Sequence, residues 1–117
     1  MTNPSKLSIQ NLNPRESSLL IRDRVGDPDF VILDVRTPQE YEMGRIEDSV
    51  NIDYHSPTFE ADLEKLDRNK TYLVYCLVGI RSANAAKIME RLSFEDVRNM
   101  LGGIRQWHLE GLPIVGR

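Results

Sequence analysis

Apolar residues along the chain gather in short runs separated by punctuation at regular intervals. Phe30 to Leu33, Val50 to Ile52, Tyr72 to Tyr75 and Val97 to Met100 read as buried strands, and Leu7 to Ile9 adds a small fifth. Runs that are apolar rather than alternating suit strands covered on both faces, as in a parallel sheet sandwiched by helices. Between them lie helix starts. Asn13-Pro14-Arg15-Glu16 and Thr37-Pro38-Gln39-Glu40 each place a cap residue, then Pro at the first helical position, then Glu where it reaches back to the cap amide. Ser56-Pro57 before Phe59, Leu63 and Leu66 is a weaker third start.

After Arg81 the period changes. Ala85, Ile88, Met89 and Leu92 recur on one helical face while Asn84, Lys87, Glu90 and Arg91 take the other. A last helix follows Gly102-Gly103, includes Trp107 in the core, and ends before Gly111 and Pro113. The pattern predicts a single α/β domain over residues 1–117: an open parallel sheet of about five short strands with helices on both faces and right-handed crossovers.

Composition narrows the function classes. At 117 residues, 40% apolar and 28% charged, the chain is ordinary globular material of single-domain size. A net charge of -3 with no basic run argues against nucleic acid as a partner. No apolar stretch of membrane-spanning length or leader type is present, so the expectation is a soluble, cytoplasmic protein without a membrane partner. The charge run from Glu60 to Arg68 reads as a solvated helix face. His55 and His108 match no metal-ligand spacing, and no metal or organic cofactor is expected.

The one cysteine, Cys76, changes the picture most. No disulfide can close within the chain, and any transfer chemistry at this thiol must finish on an outside acceptor. Free cysteines are among the most buried residues, so alone Cys76 reads as core packing. Its surroundings say otherwise: Leu77, Val78, Gly79, Ile80, Arg81 and Ser82 carry the chain from a strand end directly into an amphipathic helix. Ligands bind at that edge of a parallel sheet, and a helix starting at about Arg81 or Ser82 aims its free N–H groups back at the loop. Gly79 lets the loop curl so that successive amides form an anion-binding nest. Arg81 adds a permanent positive charge, and thiols in such settings ionise far more readily than free cysteine.

Four patches resemble the single-domain rhodaneses, and together they cover nearly the whole chain: Phe30 to Tyr41 around Asp34-Val35-Arg36, Gly44-Arg45-Ile46 with Ser49 to Ile52, the Cys76 to Ser82 loop, and Leu101-Gly102-Gly103-Ile104 with Trp107. The resemblance implies a sulfurtransferase that carries sulfane sulfur as a persulfide on Cys76. It would take that sulfur from a small donor or a protein persulfide and pass it to a thiol or cyanide. It further implies that the amides of Leu77 through Ser82 cradle the sulfur, that Arg81 stabilises its charge, and that Asp34, Arg36 and Glu40 form a supporting network. For these three, a strand-end ion pair and a helix cap are an equally complete explanation.

The chain departs from the pattern in places. Arg45 stands where the family often has His, and Glu47-Asp48 replaces a usual Pro-Gly. Leu77, Val78 and Ile80 make the loop apolar, so thiosulfate would gain only Arg81 and backbone dipoles, and a partner protein would find a docking surface. Two other functions compete. Cysteine-dependent phosphatases and arsenate reductases also hold an oxyanion above a thiolate, but their loops set Cys and Arg one residue further apart than the four that intervene here. A non-catalytic binding module on the same fold is the other, and an intact Cys76, Gly79 and Arg81 weigh against it.

Overall fold

The structure is a computed structural model that describes residues 9–116. Five strands and five helices alternate along the chain: β1 (Ile9–Leu12), α1 (Pro14–Asp23), β2 (Phe30–Asp34), α2 (Pro38–Met43), β3 (Val50–Asn51), α3 (Phe59–Glu64), β4 (Thr71–Tyr75), α4 (Ile80–Arg91), β5 (Asp96–Met100) and α5 (Gly103–Leu109). All strand pairs are parallel and the spatial order is β1-β5-β4-β2-β3. Every strand therefore ends at the same edge, which brings Asp34, Cys76 and the Leu101–Gly103 turn to one side of the molecule.

The central strand β4 is buried along its whole length, and its alternation feeds two cores. Tyr72 and Val74 pack with Leu33, Phe59, Leu63 and Met89 under α3 and α4. Leu73 and Tyr75 pack with Ile32, Ile104 and Trp107 on the other face. The two-sided burial accounts for the unbroken apolar run in this strand. Both expected capping boxes form. Asn13 Oδ1 accepts from Glu16 N (2.7 Å) while Glu16 Oε1 accepts from Asn13 N (2.9 Å). Thr37 Oγ1 accepts from Glu40 N (3.2 Å) while Glu40 Oε1 accepts from Thr37 N (2.9 Å).

Two boundaries differ from the pattern-based expectation. The first strand runs Ile9–Leu12 rather than Leu7 to Ile9, whose residues Leu7 and Ser8 lie outside the described ones. It is an edge strand held by backbone pairing to β5, and its polar centre, Gln10-Asn11, hides it from a search for apolar runs. The helix after the cysteine loop starts at Ile80, because Gly79 takes the left-handed conformation (φ 107°) and itself serves as the cap residue.

One close approach joins the fold to the cysteine loop. Ile104 N donates to the carbonyl of Cys76 (2.9 Å) and Arg105 N to that of Leu77 (3.0 Å), so the start of α5 grips the first two peptides after β4. Contact this tight requires Gly103, which sits at φ +64°: a Cβ there would collide with the Leu77 carbonyl and lie 2.6 Å from the Cys76 oxygen. Gly103→Ala should cost about 2–4 kcal/mol, the sum of a backbone overlap and a left-handed φ, read as a lower urea midpoint. Gly111→Ala, at φ +81° with open space around it, should cost only about 1 kcal/mol. Equal losses for the two variants would show that the contact at Gly103 is slack.

Candidate functional site

Cys76 directly follows β4, is 0% exposed, and packs in the same cluster as Val35, Val74, Ala85 and Ala86. Its sulfur nonetheless has polar partners. Gly79 N donates to Sγ at 3.0 Å, the thiol donates to Ser82 Oγ at 3.4 Å, and the Ser82 hydroxyl donates to the Gly79 carbonyl at 3.3 Å. Ser82 is fully buried as well.

The direction of the loop's amides follows from the grip of α5. A trans peptide points its C=O and the next N–H in opposite directions, and every peptide here is trans. With the Cys76 and Leu77 carbonyls on α5, the N–H groups of Leu77 and Val78 turn away from it. The first turn of α4 contributes further free donors. Among the described residues, the amides of Leu77, Val78, Ile80, Arg81 and Ser82 have no acceptor, while the Gly79 amide is on the sulfur. A strand end, a left-handed glycine and a helix start thus leave a run of unpaired donors in the loop that follows the thiol, with the Gly79 amide on the sulfur itself.

Arg81 lies one turn into this arrangement but gives two N–H groups to Glu40, at 2.8 and 3.0 Å. The pair ties the first turn of α4 to that of α2. The Arg81 hydrogen bonds are the main cause that lowers the Glu40 carboxyl from 4.5 to about 2. The same bonds raise the Arg81 pKa.

Asp34 and Arg36 form a buried ion pair beneath the site. Arg36 Nε donates to both Asp34 oxygens (3.1 and 3.0 Å), Nη2 donates to Oδ2 (2.7 Å), and the backbone N–H of Arg36 donates to Oδ1 (2.8 Å). Burial works to lower the Arg36 pKa, and the bonds and charge of Asp34 more than offset it. Nη2 also donates to the Gly44 carbonyl at 2.7 Å, which fixes the end of α2. Neither Asp34 nor Arg36 bonds to the loop among the described residues; both form the strand-end pair, and Arg36 ties it to the Gly44 carbonyl.

Two positioning groups escaped the sequence reading. The sequence pattern gives Gly102-Gly103 only as the point from which the last helix follows; in the structure Gly103 also admits the α5 grip, and the Gly79 Cα faces Gly102 so closely that a Cβ would lie 3.2 Å from its nitrogen. Asn51 Nδ2 donates to the carbonyls of Asp34 (3.0 Å) and Arg36 (2.9 Å) and so sets the chain leaving β2. The glycine pair was a readable signal; Asn51 fell within the family-like Ser49 to Ile52 patch, but nothing in the residues named its partners. His55 stacks edge-on against Tyr54, away from His108 on α5. Among the described residues, no group of three His, Cys, Asp or Glu side chains could hold a metal, and no helix is long and apolar enough to cross a membrane.

Comparison with known proteins agrees with this architecture. Residues 19–110 match the rhodanese-like domain profile. A sulfurtransferase of Allochromatium vinosum is 29% identical over 104 residues, covering 89% of this chain and 95% of that protein. The tRNA uridine(34) hydroxylase of Cytophaga hutchinsonii is 34% identical over 110 residues, covering 92% of this chain but only 34% of that protein. The chain thus spans about a third of the hydroxylases it matches and nearly all of the sulfurtransferase. Among solved structures, the rhodanese-related protein from Thermoplasma volcanium superposes with a TM-score of 0.75 at 30% identity, over 91% of this chain and 97% of that one. By profile, by fold and by relatives, this chain belongs to the rhodanese-like domain family.

Proposed function

We propose that the protein is a sulfurtransferase that carries one sulfane sulfur on Cys76. The observation that carries this reading is the run of unpaired amides in the loop whose Gly79 N–H already holds the Cys76 sulfur. In the first half-reaction the Cys76 thiolate attacks the sulfane sulfur of a donor. A new S–S bond forms, the donor's bond to that sulfur breaks, and the remainder leaves with the electron pair, as sulfite does from thiosulfate. In the second half-reaction a thiolate or cyanide attacks the terminal sulfur, and Cys76 departs as thiolate. The carried atom adds about 2 Å beyond Sγ, enough to move negative charge from the shielded cysteine out among the free donors. The Ser82 hydroxyl, 3.4 Å from Sγ, can turn to donate to the sulfur when the thiol has lost its proton.

Two features bear on the competing readings. Arg81 is one residue closer to the cysteine than in phosphatase loops, and its two Nη groups are committed to Glu40. One structural relative, from Rhodopseudomonas palustris, is described as a possible tyrosine phosphatase, and that activity is not supported here. The hydroxylase relatives act on tRNA by name, but a chain with net charge -3 that spans a third of their length supports a sulfur-carrying domain rather than an RNA-binding one.

Incubation with thiosulfate, polysulfide or a protein persulfide, followed by intact-mass measurement, should show a gain of one sulfur atom that a reductant removes. Cys76→Ser should abolish the gain, and a protein that gains no sulfur from any of the three donors refutes the reading. The Glu40 to Arg81 pair gives a pH signature. Because the folded Glu40 carboxyl titrates at about 2 against an ordinary 4.5, its contribution to stability is complete above about pH 4.5 and disappears as pH falls through about 2. Denaturant midpoints measured across that window should fall less steeply for Glu40→Gln than for the parent. Parallel curves would mean that the pair contributes nothing.

A further inference from the structure

We propose that two copies of this chain associate through a groove that shares no residue with the cysteine loop, with a twofold axis running along the groove. Glu47 and Asp48, two carboxylates for which sulfur transfer has no use, form one bank of it, and α1 forms the other.

The acidic bank is built on a tight turn. Ser49 N donates to the Ile46 carbonyl (3.1 Å), and Asp48 sits in the left-handed conformation at φ 68°. Both ends of the turn are anchored on the buried Tyr75 hydroxyl, which accepts from Ile46 N (3.1 Å) and lies 3.3 Å from Ser49 Oγ. The two exposed carboxylates are thus presented from a fixed support, which lowers the cost of ordering them against a partner. On the opposite bank Arg22 stands in the last turn of α1. The neighbouring charges are already matched, since Arg24 donates to Asp27 at 2.7 Å and lies over the Phe30 ring. Among the described residues, Arg22, Glu47 and Asp48 are in no ion pair.

Between the banks lie two adjoining hollows of about 200 and 210 Å³ that share Ile21, Val25 and Asp48. Phe30 and Ile32 line one, and Trp107 and Pro113 line the other. Val25, just past the end of α1, is 75% exposed on the rim of both, an apolar side chain with nothing to cover it within one copy.

The charges choose the occupant. One bank is cationic and the other anionic, so neither a polyanion nor a basic segment matches both. A second copy does. When two such surfaces face each other, a twofold axis along the groove lays the α1 bank of each copy on the acidic turn of the other, and Arg22 meets Glu47 and Asp48 twice. The Val25 side chain of each copy then enters the hollows of the other and leaves water. No residue of the Cys76 loop lines the groove, so the pairing leaves both thiols open.

Sedimentation equilibrium of the full chain tests this. Self-association should appear with a Kd on the order of 10 to 100 μM, the range of a small and partly polar interface, and should weaken with added salt. Arg22→Glu sets carboxylate against carboxylate, and Glu47→Arg sets guanidinium against guanidinium. Each variant alone should associate about tenfold more weakly than the parent. Mixed in equal amounts, the two should bind each other more tightly than either binds itself, because the pairing across the axis then has opposite signs in both symmetric halves. Val25→Ser should weaken the parent's association about tenfold. All three side chains are exposed, and unchanged far-UV circular dichroism confirms that each variant is folded. A chain that stays monomeric at about 1 mM overturns the proposal. So does association that the substitutions leave unchanged, or a mixture no tighter than its parts, since either outcome places the contact elsewhere.

Discussion

Two hydrogen bonds from the start of α5 to the carbonyls of Cys76 and Leu77 are the constraint on which the site depends. A peptide group offers an acceptor on one side and a donor on the other, and a loop can present donors in one direction only if its acceptors are satisfied in another. Here the last helix satisfies the acceptors. The left-handed Gly79 and the unfilled first turn of α4 leave further N–H groups of the same loop without partners. The absence of a side chain at Gly103 lets the grip close, which makes a residue distant in sequence from the cysteine as much a part of the site as the loop itself.

The ionic residues work at a different level. Asp34 with Arg36 is a buried pair whose further bonds go to backbone, at Gly44 and at the Arg36 amide, and whose role is to hold the strand end and α2. Glu40 both caps α2 and receives Arg81, so it couples α2 to the helix behind the loop. Arg81 therefore contributes its charge from a fixed position rather than as a mobile hand on the sulfur. A neutral ion pair near the thiol leaves the backbone dipoles as the main source of stabilisation for an anionic sulfur, which fits a loop whose side chains at Leu77, Val78 and Ile80 are apolar.

Much of this was legible in the residues alone, for identifiable reasons. Capping boxes at Asn13 and Thr37 are local, so the sequence states them completely. The two-sided burial of β4 leaves an unbroken apolar run, and the amphipathic face of α4 has the right period. The extent of β1 to Leu12 was not legible because its centre, Gln10-Asn11, is polar and interrupts the apolar run. The Cys76 loop could be recognised from its glycine, arginine and following helix. The grip by α5 could not, because it joins segments separated by a helix and a strand, and the glycine pair announces a tight approach without saying to what. The Asn51 bonds and the pairing of Arg81 with Glu40 are likewise long-range choices among equally plausible partners.

The central claim is that backbone donors, oriented by α5, hold the carried sulfur. A crystal structure of the protein after loading with polysulfide tests it most directly. The account predicts a second sulfur bonded to Cys76 Sγ with several of the amides of Leu77 to Ser82 within about 3.5 Å of it, the distance of a hydrogen bond to sulfur, and the Cys76 and Leu77 carbonyls still on α5. A terminal sulfur that turns away from the amides into the apolar cluster, or a loop that releases α5 to accommodate it, would contradict the account.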